Sequence, residues 1–330
     1  MNIFFVSYFA LAFLLLFVCA KISYKLDLLD SPNQRKLHAN PTAYTGGVAL
    51  SLIYLISLKL FNFNSADLNL IVSISFLISI VGLIDDKFKL NTGGKLSLQI
   101  LPIFYLIFIE KIYLNNIGDY TYFKTDLESF SGPFSLLCVL FLINAFNYFD
   151  GIDGSLSFTT ISVIAIIYFL VPEINDKLFL ITILLPILIF LCFNFSLFNL
   201  PKLFLGDSGS LMLGFLISLS LIYYASQNIV HPILLAWSVV IFVYEFLSLN
   251  ILRIKNKKNI FNAGLDHLHH RLYKKTNSIF LSNFYLVFIN IFLFLIGYIS
   301  FVFINSLISL ILFISLFVIF YQIRKNYFDN

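Results

Sequence analysis

The chain contains eleven long apolar windows that follow one another with short polar connections between them. A helix of about 20 apolar residues spans the hydrocarbon core of a bilayer, so windows of this length are typical of membrane helices. Composition agrees: 60% of the residues are hydrophobic and 12% are charged, against about 45–50% and about 25% in soluble domains. The windows are 3–20, 46–61, 68–84, 96–114, 134–148, 156–171, 178–195, 209–226, 230–251, 279–303 and 306–323.

The windows predict an all-α fold, a polytopic integral membrane helical bundle with about eleven transmembrane helices. The connections leave no room for a second, water-soluble domain, so residues 1–330 are expected to form a single transmembrane domain. A net charge of +4 is too small to predict a nucleic-acid-binding surface. The three cysteines lie in apolar runs without metal-ligand spacing, which predicts neither a disulfide framework nor a zinc site.

The basic residues predict an orientation for the bundle. The connections after odd-numbered windows, together with the C-terminal tail, hold 17 of the 21 lysines and arginines. Because cytoplasmic connections carry the excess of basic residues, we expect these connections and the C-terminus in the cytoplasm and the N-terminus outside. The first window has no charge before it and basic residues after it, which favours a retained membrane helix over a secretory signal.

Four polar clusters follow odd-numbered windows, on the predicted cytoplasmic face. Taken singly, each has an ordinary explanation as a helix cap, a turn or loop surface. Taken together, three acidic clusters on one face would repel one another without a cation, and carboxylates with nearby lysine and histidine suit Mg²⁺ and phosphate. The pattern predicts a magnesium-dependent phosphate site. The clusters are Asp85-Asp86, NAFNYFDGIDG (144–154), LFLGDSGS (203–210) and DHLHHRL (266–272).

Five segments resemble, in order, the motifs of the polyprenyl-phosphate N-acetylhexosamine-1-phosphate transferases of glycosyltransferase family 4. The most specific is NAFNYFDGIDGSLS (144–157). Lys95 and Gln99 also fit the continuation of the aspartate-pair motif. The other four segments are DSPNQRKLHANPTAYTGGVAL (30–50), VGLIDDKFKL (81–90), LFLGDSGSLMLGF (203–215) and HLHHRL (267–272).

The resemblance implies a multi-pass enzyme of the bacterial cytoplasmic (inner) membrane with its active site on the cytoplasmic face. Such an enzyme transfers an N-acetylhexosamine 1-phosphate from a UDP-sugar to undecaprenyl phosphate and releases UMP. Its partners are therefore expected to be a UDP-N-acetylhexosamine, undecaprenyl phosphate and membrane lipid, without nucleic acid. The exact sugar, a one-step or double-displacement mechanism and the oligomeric state stay open.

The branch of the family is also indicated by the motifs. The peptidoglycan branch, phospho-MurNAc-pentapeptide translocase, generally has ten spans and three consecutive histidines. Here the histidine motif is HLHH followed by Arg271, and there is an eleventh window. The chain is closer to the branch that uses UDP-GlcNAc to start O-antigen lipopolysaccharide, enterobacterial common antigen or teichoic-acid linkage units. The alternatives are the peptidoglycan enzyme and a membrane transporter, although transporters place ionisable groups near the bilayer midplane.

The resemblance assigns roles to individual residues. Asp207 is the first choice as Mg²⁺ ligand, with Asp86 beside it and Mn²⁺ as the alternative ion. Lys95 has the competing interpretation of a helix-end lysine that meets lipid headgroups. Glu245, inside the ninth window, is left out of the predicted site. The expected catalytic carboxylates are Asp85, Asp86, Asp150 and Asp153, and the expected substrate-binding residues are Asn147, Lys95, His267, His269, His270 and Arg271. Weaker candidates are Arg35, Lys36 and His38.

Overall fold

The structure, a computed structural model, describes residues 2–32, 40–61, 63, 65–259, 264 and 266–328. Within these residues the fold is helical, and each of the eleven apolar windows holds helix. The helices are α1 (Asn2–Lys25), α2 (Gly46–Leu60), α3 (Ala66–Phe88), α4 (Thr92–Phe104, continued by a π-helical turn, Tyr105–Ile109), α5 (Ser131–Phe149), α6 (Ser155–Leu170), α7 (Ile174–Asn194), α8 (Gly206–Ser226), α9 (Pro232–Ser238), α10 (Val240–Lys255), α11 (Leu268–Thr276), α12 (Ile279–Phe303) and α13 (Ser306–Phe328).

The prediction of a polytopic helical membrane protein is confirmed. Eight helices in the described residues are long and apolar enough to cross a membrane, or nine if the bent pair α9–α10 counts as one span. The shorter apolar helices α2 and α6 occupy two of the predicted windows, so a count of eleven spans stays a prediction. Two short antiparallel strand pairs were not predicted: β1 (Leu29–Asp30) with β2 (Thr42–Ala43), and β3 (Asn116–Tyr120) with β4 (Phe123–Asp126).

The window 230–251 forms two helices rather than one, because α9 and α10 meet at an angle of 73°. Such a break releases backbone groups from the helical hydrogen-bond ladder, and these groups need other partners in an apolar interior. Asn290, fully buried in α12, supplies them. Its amide nitrogen donates to the Ser238 carbonyl over 3.1 Å, and its Oδ1 accepts the Ile241 N–H over 3.4 Å.

Helix α8 lies at the centre of the bundle, with 94% of its span window buried, whereas only 6% of the α13 window is buried. Close packing of α3 against α8 depends on Gly82. A Cβ at this position would lie 2.4 Å from the Ser208 Cα, closer than any real contact. The contact brings the end of α3, with its aspartate pair, against the beginning of α8, which carries Asp207.

Candidate active site

The predicted polar clusters meet at a cavity of about 760 Å³. It lies where α3, α5 and α10 end and where α4, α8 and α11 begin. Successive spanning helices are expected to run in opposite directions, and this brings these helix ends to the same side of the bundle. Predicted site residues that line the cavity are Asp85, Lys95, Asn147, Asp150, Asp207, His267, His269 and His270.

Lys95 connects two of the acidic clusters. Its Nζ lies 2.7 Å from Asp85 Oδ2 and 2.5 Å from Asp207 Oδ2. A tight turn between α3 and α4 makes this possible: the Asp85 carboxylate accepts the Leu90 N–H over 2.9 Å, and Asn91 caps α4 through the Gly94 N–H. Lys95 therefore faces the cavity, and the alternative of a lysine among lipid headgroups is not what the structure shows.

Asp207 stands in the first turn of α8, where the positive end of the helix dipole favours a carboxylate. It is not an ordinary helix cap, because its side-chain oxygens are engaged across the site. Oδ1 accepts a hydrogen bond from Asn147 Nδ2 over 2.9 Å, and the same Nδ2 lies 2.8 Å from Ser210 Oγ. Asp207 thus links the ends of α3, α4 and α5 through polar contacts.

Asp86 lies behind the beginning of α8 and is not among the residues that line the cavity. Its Oδ2 accepts the Ser208 N–H over 3.4 Å, as a cap supplied by a neighbouring helix would. Gly206 leaves the space that this requires, since its φ is +70° and an added Cβ would lie 2.7 Å from Asp86 Oδ2. The neighbouring carboxylate of Asp207 is therefore the one that faces the cavity.

Asp150 follows α5 and opens to the cavity. Although its side chain is accessible there, the enclosing protein desolvates the carboxyl, and Asp207 and Asp153 add negative charge. Together these effects raise the pKa of Asp150 above its ordinary value. A carboxyl in this state gains from a cation placed beside it.

Besides Asp86, two predicted site residues do not line the cavity. Asp153 accepts the Lys202 ammonium on Oδ2 over 2.7 Å, and its backbone carbonyl accepts Asn283 Nδ2 over 2.8 Å. Arg271 donates from Nε to the Asp266 carbonyl over 3.2 Å. Neither lines the cavity. These contacts tie together the segments that border the site.

The three histidines pack against one another and against the turn after α5. The His267 and His269 rings stack with centroids 5.5 Å apart and planes within 8°. Gly151 packs against two of the rings: an added Cβ would lie 2.1 Å from His269 Nε2 and 2.8 Å from His270 Nε2. Neither ring nitrogen of His269 has a hydrogen-bond partner in the described part of the chain, and both are buried.

Burial favours the neutral form of the three histidines. Burial lowers the pKa of His267 to about 3 and lowers that of His269 well below its ordinary value. The pKa of His270 is also lowered, again chiefly by burial. The sequence pattern favours histidines as charge partners for phosphate, whereas a neutral histidine offers one N–H donor.

The cavity contains a cation that sequence reasoning missed. Arg253, near the end of α10, lines the wall and forms a bidentate pair with Asp266, with Nε–Oδ2 at 3.0 Å and Nη2–Oδ1 at 2.7 Å. In the sequence it was one basic residue among seven in its connection, so no local pattern distinguished it. Three weaker candidates lie outside the described residues: Arg35, Lys36 and His38.

The protein side chains at the cavity can hold a divalent metal only if substrate oxygens and water complete its coordination shell. No group of three or more His, Cys, Asp or Glu side chains among the described residues is arranged to hold a metal ion. Mg²⁺, however, commonly takes one or two carboxylates and completes its shell with water and substrate phosphate. Asp207, at the cavity wall with Asp86 behind it and Asp150 across from it, supplies hard oxygen donors of that kind.

Comparison with known proteins finds a matching family model and relatives that cover most of this chain. Residues 68–225 match the family model described as glycosyl transferase family 4, a segment that contains Asp85, Lys95, Asn147, Asp150 and Asp207 and ends before the histidine loop. The chain is 26% identical over 280 residues to the undecaprenyl-phosphate alpha-N-acetylglucosaminyl 1-phosphate transferase of Yersinia pestis, covering 82% of this chain and 75% of the relative.

Two further relatives show the same extent of similarity. The enzyme of that name from Escherichia coli K12 is 25% identical over 276 residues, covering 80% of this chain and 74% of the relative. The probable undecaprenyl-phosphate N-acetylglucosaminyl 1-phosphate transferase of Bacillus subtilis is 29% identical over 265 residues, covering 77% and 72%. The family-model match across the centre of the bundle and these relatives support the resemblance of the chain to glycosyl transferase family 4.

Proposed function

We propose that the protein transfers N-acetylglucosamine 1-phosphate from UDP-N-acetylglucosamine to undecaprenyl phosphate and releases UMP. The names of the relatives support this reaction over peptidoglycan synthesis. The observation that carries it is the convergence of Lys95, Arg253 and the histidine cluster on the carboxylate-lined cavity, which suits two phosphate-bearing substrates. The polar groups sit at helix ends rather than in the middle of the bundle, unlike the binding sites of transporters.

One wall of the cavity suits a lipid. It is apolar, with α5 as its main contributor, and Leu137 in this wall is 65% exposed. A long hydrocarbon chain can lie along such a wall while its phosphate reaches the polar end. The apolar lining residues are Leu90, Leu96, Leu137, Leu140, Phe141 and Phe246.

In the reaction, an oxygen of the lipid phosphate attacks the β-phosphorus of the UDP-sugar, and the bond from that phosphorus to the bridging oxygen of UMP breaks. Because both reactants are anionic, charge neutralisation and in-line alignment supply most of the acceleration. Two cations lie at the cavity: Lys95, paired with Asp85 and Asp207, and Arg253, paired with Asp266. The Asn147 amide and the neutral histidine N–H groups are placed to orient phosphate or sugar oxygens.

Magnesium is part of the proposal. Asp207, supported by Asp86, would hold the ion, with Asp85 and Asp150 lining the same space. The bound ion supplies Lewis-acid neutralisation of the diphosphate charge. For that arrangement Lys95 has to share the Asp207 carboxylate with the metal or transfer to a substrate phosphate, and its flexible four-carbon stem permits either.

We place the site at the cytoplasmic face of a bacterial inner membrane. The charge bias between connections supports this orientation, because the cavity is bordered by the connections that follow odd-numbered windows. UDP-sugars are made in the cytoplasm, so a site on this face meets its donor directly.

A reconstituted assay tests the function. Purified protein would receive Mg²⁺, undecaprenyl phosphate and either UDP-GlcNAc, another UDP-N-acetylhexosamine or UDP-MurNAc-pentapeptide, and the lipid product and UMP would be measured. We expect product with UDP-GlcNAc and none in an Asp207→Asn control. Turnover of UDP-MurNAc-pentapeptide alone would assign the protein to peptidoglycan synthesis, and no lipid product with any donor would reject the transferase.

A further inference from the structure

A buried arginine stands near the end of α13, the least buried of the eight long apolar helices in the described residues. Arg324 in α13 is 2% exposed, although α13 as a whole buries little of its surface. Removing a guanidinium from water is costly unless paired charges and hydrogen bonds replace the lost hydration. The partners of Arg324 therefore indicate what its burial achieves.

Those partners belong to α10 and to the segment that carries the histidines. Nη1 forms an ion pair with Glu245, which is 1% exposed, and lies 3.2 Å from Ser248 Oγ. Nη2 donates to the Asp266 carbonyl over 2.8 Å. The other oxygen of the Glu245 carboxylate, Oε1, accepts a hydrogen bond from the Leu268 N–H over 3.0 Å. Arg324 thus reaches, directly and through Glu245, the backbone on both sides of His267.

The same segment is held from a second direction. Arg253 forms its bidentate pair with the Asp266 side chain, while Arg324 binds the Asp266 backbone. His267 Nδ1 also lies 4.0 Å from Glu245 Oε1. The histidine cluster is consequently fixed by two arginines from different helices, and one of these helices, α13, contributes no residue to the cavity lining.

We infer that Arg324 is a positioning residue: through Glu245 and the Asp266 carbonyl it sets where His267 and His269 stand at the cavity. The inference rests on the proposed function, because it assigns the histidines to the transfer reaction. It also explains why a membrane helix carries a buried carboxylate, Glu245, that does not line the cavity. A displacement of about 1 Å at a reacting centre can reduce the rate by about 10²-fold, so the effect of losing this contact is measurable.

The test uses Arg324→Gln, Arg324→Lys and the double variant Glu245→Gln/Arg324→Gln in the full-length protein. Lys325→Gln is the matched control, because Lys325 is the next residue of the same helix and is exposed. The double variant removes the buried charge that Arg324→Gln alone leaves unpaired, yet the amide introduced at position 245 still offers an oxygen to the Leu268 N–H. Hydrogen exchange at residues 266–272 and steady-state kinetics are measured for each.

For Arg324→Gln we expect faster exchange at 266–272 with unchanged exchange in α5, and a loss of at least about tenfold in kcat/KM for the UDP-sugar. The KM for undecaprenyl phosphate should stay within about twofold of wild type, since the apolar wall is untouched. The double variant and Arg324→Lys should each lose less than Arg324→Gln, and Lys325→Gln should match wild type.

Unchanged exchange at 266–272 in Arg324→Gln would overturn the inference. Wild-type kinetics in this variant would also overturn it. An equal loss of kcat/KM for the UDP-sugar and for undecaprenyl phosphate, with faster exchange throughout the bundle, would indicate a general folding role and would overturn it as well. A wild-type protein without transferase activity would instead reject the proposed function, and the exchange measurement would still decide whether Arg324 holds the histidine segment.

Discussion

The His269 ring packs directly against Gly151, so that a Cβ at position 151 would lie 2.1 Å from its Nε2. Gly151 belongs to the turn after α5, and His269 lies in the first turn of α11. Two segments that are remote in the sequence therefore set each other's position at the cavity. The absence of a side chain at 151 is a requirement of this contact, and several consequences can be measured.

Gly151→Ala should displace the histidines and reduce transfer by about 10-fold to 10²-fold, as a shift of about 1 Å at a reacting centre does. The rate of lipid-product formation measures this. Gly93→Ala is the matched control, because an added Cβ there would meet only Asn91 Oδ1 at 3.8 Å. Equal activities of the two variants would mean that the histidine position does not matter for the reaction.

Lys95→Gln should reduce transfer by at least about 10²-fold, the usual scale for removing one electrostatic group at a reacting centre. The change leaves Asp85 and Asp207 facing each other without the cation that now separates them. Lys89→Gln, at an exposed position just after α3, serves as control. A fully active Lys95→Gln protein would mean that Lys95 is an ordinary helix-end lysine that the reaction does not need.

Asp207→Asn should nearly abolish transfer while the protein still enters the membrane, and chelation of divalent cations should do the same to the wild type. Both follow from the proposed Mg²⁺ ligation by Asp207. Adding Mg²⁺ or Mn²⁺ should restore the chelated wild type but not the variant. Turnover of Asp207→Asn at the wild-type rate in saturating Mg²⁺ would remove Asp207 from the metal site.

The buried His267 and His269 should lower thermal stability as the pH drops below about 6.5, whereas the raised pKa of Asp150 acts in the opposite direction, so the histidine contribution is measured by comparison with a variant. The pKa values of His267 and His269 are lowered in the folded protein, whereas the unfolded chain binds protons from about pH 6.5 downward. Below this pH the unfolded state binds more protons than the folded state. Each buried histidine therefore lowers the free energy of unfolding by about 1.4 kcal/mol per pH unit below about 6.5, until the pH reaches its pKa in the folded protein. The Tm measured in detergent between pH 7.5 and 5 gives the slope, and His269→Gln should make it shallower. An identical slope in this variant would contradict the assignment.

Single cysteines test the orientation of the bundle, in a background without Cys19, Cys138 and Cys192. Exposed positions on the predicted cytoplasmic side are Lys89, Asn199 and Lys257, and Tyr122 lies in the connection predicted to be outside. An impermeant thiol reagent added to intact cells should label only Tyr122→Cys. The other three should react after the membrane is opened. Labelling of Asn199→Cys or Lys257→Cys in intact cells would mean that the beginning of α8 or the histidine loop does not lie on the predicted cytoplasmic side.

The sequence determined the helical bundle and much of the site's composition. Apolar runs of this length must pair their backbone groups internally in lipid, and helices do so within each run. Helix windows therefore predicted α3, α5 and α8 with only small shifts of their ends, whereas the window 230–251 forms the two helices α9 and α10. The alternation of windows and basic connections also predicted that the aspartate, asparagine and histidine motifs share one face, and they do meet at one cavity.

Tertiary structure alone decided which residues of those motifs face the cavity and what holds them there. Lys95 and Asp207 are 112 positions apart, and Arg324 and Glu245 are 79 apart. No local pattern specifies pairs of this kind, because they depend on how helices pack. The same packing turned Asp86 toward the α8 backbone and Asp153 toward Lys202. Periodicity and composition predict each helix separately. The partners of a side chain depend on the neighbouring helices against which it packs.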